Sequence, residues 1–373
     1  MMICGYTAVG LIITIVFYAP PPRSNSVTLS TGDMVRRIDY VGGILEDTWY
    51  DTTLQNRNSR RSGADLVQYP WNSAHALVPL ILGVSILAMF VSWEAWGTKY
   101  PMFPKDLGRA PRTLVLVLVI SFISGANFFS VLMLWPTQAY NVYGHDPVAV
   151  GLRGLPFGLG VMTGCVITLT LLTYFRGANT RIILLIASCV MTAGCGSMAA
   201  LSTANESVVY AILVIAGLGV GGMVMPVSVI TTIICRDEVI ATITALSLSI
   251  RVVGGAIGYA IYYNVLVSKL TPMLIDRVGT AMVVGGVKDP ETIKAAIDLT
   301  SASLTQAILE LPGSNGNVTL WQQVVTAGQE ACADAYPWVY YCSIAFGEAS
   351  VVASFFVEDI TQFMDDHVAV VIL

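Results

Sequence analysis

The chain has 373 residues, of which 55% are hydrophobic and only 12% charged, with a net charge of -5 and a mean hydropathy of +0.70. Soluble domains carry about a quarter charged residues, so a soluble enzyme is excluded, and the polar segments are too short to form a separate catalytic domain. No basic face interleaved with aromatics occurs, which excludes nucleic-acid binding.

A bilayer core takes about 20 apolar residues per helical crossing, and eight runs fit that requirement. The first, Met2–Tyr18, lacks the charged start and small-residue cleavage site of a signal peptide and runs into Pro20-Pro21-Pro22-Arg23. It is expected to be a lone transmembrane helix within 1–22. The segment 23–73 reads as a cytoplasmic linker containing a defective crossing. Its Ile38–Leu45 start is apolar, but Glu46, Asp47, Asp51, Arg57, Arg60 and Arg61 follow. Each charge at a helix centre costs about 2.5–3.5 kcal/mol on insertion scales, so this stretch cannot span. A second helix is expected at 74–95, followed by a basic loop to 112 with Lys99, Lys105, Arg109 and Arg112.

Six further runs, at 113–139, 149–174, 181–201, 208–234, 239–268 and 337–358, make up the largest unit, 113–358, and 359–373 is a tail. Basic loops stay in the cytoplasm whatever the net charge. Arg176, Arg181 and Arg236 mark one side, and the alternate loops Asn141–Pro147 and Ser202–Ser207 contain no Lys or Arg. The tail is therefore expected inside and the segment 269–336 outside. The same rule makes helices 2–18 and 74–95 both run inward, so parity demands a crossing that 46–68 does not supply. In the outer segment, Asp289-Pro290-Glu291 is a helix start, and Ile293, Ile297, Leu304, Ile308 and Leu311 recur at helical spacing. An amphipathic helix over the outer face, broken at Pro312-Gly313, is expected. Two glycosylation triplets, Asn205-Glu206-Ser207 and Asn317-Val318-Thr319, fall on the same side.

Candidate functional positions lie in the six-helix unit. Gly217, Gly219, Gly221 and Gly222 crowd one run, and Gly254, Gly255 and Gly258 another. Small residues let transmembrane backbones approach closely; the added functional reading is that such helices rock or bend during alternating access. Pro136, Pro156 and Pro226 are expected to kink their runs. Ionisable residues at membrane depth are functional candidates because their burial is costly. Arg251 and Glu348 sit near the middle of consecutive antiparallel runs, so a structural ion pair is expected, with substrate or proton handling as the alternative. Asn127, Trp135, Gln138 and Tyr140 share one run, loosened by Pro136. They suit contact with an amphipathic organic ligand, or, for Trp135 and Tyr140, a place in the interfacial belt. His75, His145 and His367 have no metal-ligand spacing, and neither a nucleophile elbow nor a phosphate-binding loop occurs, so no enzyme, metal or nucleotide site is expected. Seven scattered cysteines form no CxxC.

Specific strings resemble a known family. Arg37-Ile38-Asp39-Tyr40-Val41-Gly42-Gly43-Ile44-Leu45 resembles the start of the seventh helix of fourteen-helix fungal major facilitator superfamily transporters. Tyr69-Pro70-Trp71-Asn72-Ser73-Ala74-His75 resembles the lead into the eighth. Further matches are Leu134-Trp135-Pro136, Arg251-Val252-Val253-Gly254-Gly255-Ala256-Ile257-Gly258, Ile344-Ala345-Phe346-Gly347 and Met364-Asp365-Asp366-His367-Val368-Ala369-Val370. Together they look like the trichothecene-efflux-pump branch, which includes siderophore-transporter-like members.

The resemblance implies an all-α polytopic membrane protein whose 113–358 unit is the carboxyl-terminal six-helix bundle. Helix 2–18 is similar to the sixth crossing and 74–95 to the eighth, leaving five earlier crossings without a counterpart. It implies export of a toxin or drug-like metabolite, driven by a proton gradient and needing no bound cofactor. The plasma membrane is the expected location, with the vacuole or another endomembrane as the alternative. The expected partners are the lipid bilayer and a hydrophobic small molecule, with no obligate protein partner. Siderophore-iron uptake and a non-transporting fragment are the other functional readings. The loop Tyr174-Phe175-Arg176-Gly177-Ala178-Asn179-Thr180-Arg181 lacks the Asp of the superfamily's cytoplasmic loop, so no proton-binding residue carries over.

Overall fold

A computed structural model describes residues 110–360 apart from 145, 175–179, 202–205, 236–238, 302, 304, 312–316 and 359, with scattered positions between 81 and 96. The expected helix 2–18, the linker 23–73 and the tail lie outside the described residues. So does most of 74–95, whose described positions, among them Ile81, Leu82, Ala88 and Met89, are helical and exposed.

Every regular element among the described residues is helical. The helices are α1 (Pro111–Tyr143), α2 (Pro147–Tyr174), α3 (Thr180–Ser197, prolonged by a 3-10 turn at Met198–Ala200), α4 (Glu206–Ile234), α5 (Ile240–Val284), α6 (Pro290–Ser301) and α7 (Val318–Phe355). α1 opens on Pro111, whose missing N–H would be unpaired at that position anyway, and stops at Gly144, where φ is 121°. α2 begins three residues later, at Pro147. Asp146 Oδ1 accepts from the Val148 N–H at 3.1 Å and closes its first turn.

α1 to α5 are each long and apolar enough to cross a membrane. α7, expected as the last crossing, is a 38-residue helix packed against α1, α3 and α5. It falls short of the same apolarity because Trp338, Tyr340, Tyr341, Ser343 and Glu348 dilute its run. α4 packs on α1, α2 and α3, and α5 on α1 and α7.

The surface is apolar where a soluble protein's would be polar. α2 buries only the stripe Phe157, Gly160, Gly164, Thr168 and Leu172, while Leu152, Leu155, Leu159, Met162 and Val166 are exposed. Hydroxyls on that outer face bond back one turn. Thr163 donates to the Leu159 carbonyl at 2.8 Å, Thr170 to Val166 at 2.7 Å and Thr173 to Leu169 at 2.9 Å. A hydrocarbon solvent demands this internal satisfaction. The described bundle is thus all-α and polytopic, as expected.

The segment 269–336 differs from expectation. α5 does not stop at 268 but runs on to Val284, and α7 starts at Val318, well before 337. At 1.5 Å per residue the 45 residues of α5 reach roughly 68 Å, about twice the hydrocarbon thickness. The extensions form an antiparallel pair closed by α6, with a separate core of Leu274, Val278, Met282, Val287, Ala296, Ile308, Leu320, Val324 and Ala331. Arg277 of α5 pairs with Glu330 at 3.1 Å and with Asp334 of α7. α6 starts where expected. Asp289 Oδ2 accepts from the Thr292 N–H at 3.1 Å and hydroxyl at 2.6 Å, and these bonds hold its carboxyl below the usual range. α6 ends at Ser301 rather than at Pro312: Ser303 turns left-handed with φ 61°, and its hydroxyl donates to Asn141 Oδ1 at 2.6 Å. A 3-10 turn at Thr305–Glu310 then buries Ile308.

Candidate functional site in the bundle interior

The helices meet along seams of small residues. Gly217 and Gly221 of α4 face Gly160 and Gly164 of α2; a Cβ on Gly217 or Gly221 would run into the carbonyl oxygens of Phe157 and Val161. On α5, Gly254 lies against the Phe122 carbonyl of α1 and Gly258 against Ala126, while Gly125 of α1 lies against the Arg251 carbonyl. Gly255 meets the Phe129 side chain instead. Gly219 lies against the Met191 backbone of α3 and Gly222 against the Thr168 side chain, so five of the seven glycines singled out in the sequence stand at backbone contacts or at an Ala facing them. Their partners Gly160, Gly164 and Gly125 were missed, although Gly160-x-x-x-Gly164 carries the small-xxx-small spacing that reveals such seams.

Arg251 is 6% exposed. With Gly125 admitting its backbone to α1, its side chain reaches α4. There Nη2 donates to the Val224 carbonyl at 2.7 Å and to Ser228 Oγ at 2.8 Å. These acceptors flank Pro226, which sits inside α4. Cys165 of α2 donates to the Gly221 carbonyl nearby, at 3.2 Å. Arg251 Nε is buried without a partner.

The expected ion pair with Glu348 does not form. Glu348 is exposed, on the outward stripe of α7 with Trp338, Tyr341, Val352 and Phe355. Its neighbour Gly347 is the residue turned inward, against Thr192 of α3. One helical step is about 100°, enough to carry the carboxylate off the interface. No carboxylate among the described residues pairs with Arg251.

The polar positions of α1 are drawn inward. Tyr262 of α5 donates to Asn127 Oδ1 at 2.8 Å, and Tyr340 of α7 donates to Gln138 Oε1 at 2.5 Å. All four side chains are at most 2% exposed. Trp135 is equally buried and lies near Tyr143, with ring centroids 6.4 Å apart, so it stands inside the bundle rather than in a belt. Tyr140 is half-buried. Pro136 lies within α1 and is exposed. Three donors in this stretch of α1 remain unpartnered, Asn127 Nδ2, Ser130 Oγ and Trp135 Nε1.

Sequence reasoning missed the tyrosines and a serine cluster in which Ser188 of α3 lies 3.1 Å from Ser350 and 2.9 Å from Ser354 of α7. Small hydroxyls on an otherwise apolar helix were the available signal. Two open surface depressions, one near Arg112 and Phe356 and one near Arg277 and Glu330, do not reach this interior. Among the described residues the interior thus presents the buried guanidinium of Arg251 and unpartnered donors on Asn127, Ser130 and Trp135.

Comparison with known proteins gives this interior a context. Residues 1–373 match the family model described as fungal trichothecene efflux pump (TRI12). The chain is 24% identical over 371 residues to trichothecene efflux pump TRI12 of Fusarium sporotrichioides, covering 97% of the chain and 60% of that protein. The protein of the same name from Trichoderma arundinaceum is 24% identical over 381 residues, again with 97% and 60% covered. The MFS-type efflux transporter ffsH of Aspergillus flavipes is 26% identical over 200 residues, which is 52% of the chain and 34% of that protein. The chain thus spans about three-fifths of the length of the first two relatives. On a match that runs its whole length, the chain belongs to the fungal trichothecene efflux pump family of major facilitator transporters.

Proposed function

We propose that the protein exports an oxygenated, largely apolar secondary metabolite across the plasma membrane, coupled to the proton gradient. The observation that carries the reading is the match to proteins named efflux pumps over 97% of the chain. Those names also favour export over siderophore-iron uptake. In this reading the six long helices move as one body. The seams along α2/α4 and α1/α5 leave no room for the helices to slide past one another, so motion takes the form of rocking of the whole bundle against the rest of the transporter.

Substrate contact falls to the interior of α1. Asn127 Nδ2 and Trp135 Nε1 lie about two turns apart, buried without acceptors. An unsatisfied buried donor costs about 1–3 kcal/mol, which a carbonyl, ether or hydroxyl oxygen of the substrate recovers on binding. The tyrosines hold the amides in place, and Gln138 and Tyr140 lie further along the same helix.

The test is accumulation of a labelled apolar metabolite in a pump-deficient yeast expressing the chain. Lower accumulation that a protonophore abolishes is the expected result. Unchanged accumulation with the chain present in membranes refutes transport by this polypeptide. Growth rescue on chelated iron instead would reverse the direction.

A further inference from the structure

We infer that Asn317 is an N-glycosylation site and that Asn205 is not. The inference rests on the multi-pass reading above, in which 269–336 faces away from the cytoplasm. Both asparagines belong to N-x-[ST] triplets, which mark acceptors on surface segments of the secretory path. Their positions relative to the apolar, membrane-crossing stretches separate them.

Asn205 immediately precedes α4, and the apolar window of that helix begins at Val208. Asn317 caps the far end of the α7 extension. The membrane surface on α7 is marked by Trp338, over whose ring Lys269 Nζ lies 4.2 Å from the centroid. A tryptophan with a snorkelling lysine is the signature of the interface. From Trp338 back to Asn317 the helix rises roughly 30 Å at 1.5 Å per residue. A membrane-bound transferase therefore has room at Asn317 and none at Asn205.

The local geometry is compatible with the modified state. Asn317 Oδ1 accepts from the Thr319 N–H at 3.1 Å and the Leu320 N–H at 3.3 Å, capping α7. This uses only the carbonyl side of the amide. Asn317, Val318 and Thr319 are all exposed, so a sugar on Nδ2 displaces nothing buried and leaves the cap intact. The co-substrate is a polyprenyl-diphosphate-linked oligosaccharide. Nδ2 forms a bond to C1 of the first sugar, the C1–O bond to the diphosphate breaks, the lipid diphosphate leaves with the electron pair, and Nδ2 loses one proton.

The experiment expresses the full chain in yeast and measures its gel mobility before and after peptide N-glycanase. One glycanase-sensitive shift is expected in the parent, in Asn205→Gln and in Thr319→Ser. The shift should vanish in Asn317→Asp and Thr319→Ala. Asn317→Asp keeps a capping carboxylate and removes the acceptor amide, so its loss of the shift cannot be assigned to a broken helix end. In parallel, Gln323→Cys is probed on intact cells with an impermeant maleimide, using a background lacking the native cysteines. Labelling at 323 without any glycanase shift overturns the inference while sparing the orientation. Neither labelling nor shift overturns both. A shift that persists in Asn317→Asp and disappears in Asn205→Gln reverses the assignment.

Discussion

Arg251 should be energetically coupled to Ser228 and uncoupled from Glu348, and double-mutant cycles separate the two. In the structure its Nη2 donates to Ser228 Oγ at 2.8 Å and to the Val224 carbonyl at 2.7 Å, while Glu348 faces outward. A buried hydrogen bond to a charged group contributes about 1.5–3 kcal/mol in soluble proteins. Side-chain pairs in a bilayer average about 0.6 and peak near 1.7 kcal/mol. Ser228→Ala is therefore expected to cost about 1–2 kcal/mol when Arg251 is present, because the guanidinium, already carrying an unpartnered Nε, loses a second contact. Arg251→Met alone should stay within about 2 kcal/mol of the parent. The bonds it loses are offset by relief of an insertion penalty of about 2.5–3.5 kcal/mol. In that background Ser228→Ala should cost less than about 0.5 kcal/mol, so the coupling is about 0.5–2 kcal/mol. The assay is reversible unfolding of the purified chain in mixed micelles, titrated with dodecyl sulfate. Coupling above about 1 kcal/mol between Arg251→Met and Glu348→Gln, or none with Ser228→Ala, would refute the placement of the guanidinium.

Two further outcomes probe the seams and the α5/α7 extension. Gly221→Ala drives a methyl group into the Val161 carbonyl and is expected to cost about 1–3 kcal/mol. Gly158→Ala, where nothing lies within 4 Å of the added carbon, should be neutral or stabilising by up to about 1 kcal/mol; equal effects in the same unfolding assay would argue against a close α2/α4 seam. In the α5/α7 extension, Asp289 accepts two bonds from Thr292 that lower its pKa. A depressed carboxylate pKa contributes stability that is fully present above the unfolded value of about 3.9 and is lost as pH falls through the lower folded value. Hydrogen exchange at the Thr292 amide should therefore accelerate, after correction for intrinsic rates, only below about pH 4. Asn at 289 should abolish that dependence while keeping the cap; a rise beginning near neutral pH would point to another group.

The helical class and the run positions were legible because length and apolarity decide them, and α1 to α4 begin and end close to the runs read from sequence. The errors have two physical origins. The first is that apolarity marks the bilayer, not the helix. The run of α5 was closed at 268 because Lys269, Asp276 and Arg277 interrupt it, yet Leu274, Val278 and Met282 continue a four-residue stripe into the extension core. Outside the membrane that stripe suffices to hold a helix against α7, and the charges sit on its wet side.

The second origin is an inverted pattern within the membrane. In α7 the inward face carries Tyr336, Tyr340, Ser343, Gly347, Ser350 and Ser354, and the outward face carries Trp338, Tyr341, Val352 and Phe355. When the solvent is hydrocarbon, large apolar side chains gain nothing by turning inward, and close packing with shared hydrogen bonds decides the face instead. Depth along consecutive antiparallel runs joined Glu348 to Arg251, but depth says nothing of which face a residue takes. Helical phase alone gives the other answer, since Glu348 lies three and seven residues from Ala345 and Tyr341, both exposed. The same inversion explains why Asn127 and Gln138 found partners only in the structure. Their tyrosines lie 135 and 202 residues away in sequence, and a Tyr in an apolar run does not announce whether its hydroxyl meets water, lipid headgroups or an amide on another helix. The small-residue spacings do carry that phase, because a glycine every fourth residue marks the one face where two backbones can touch.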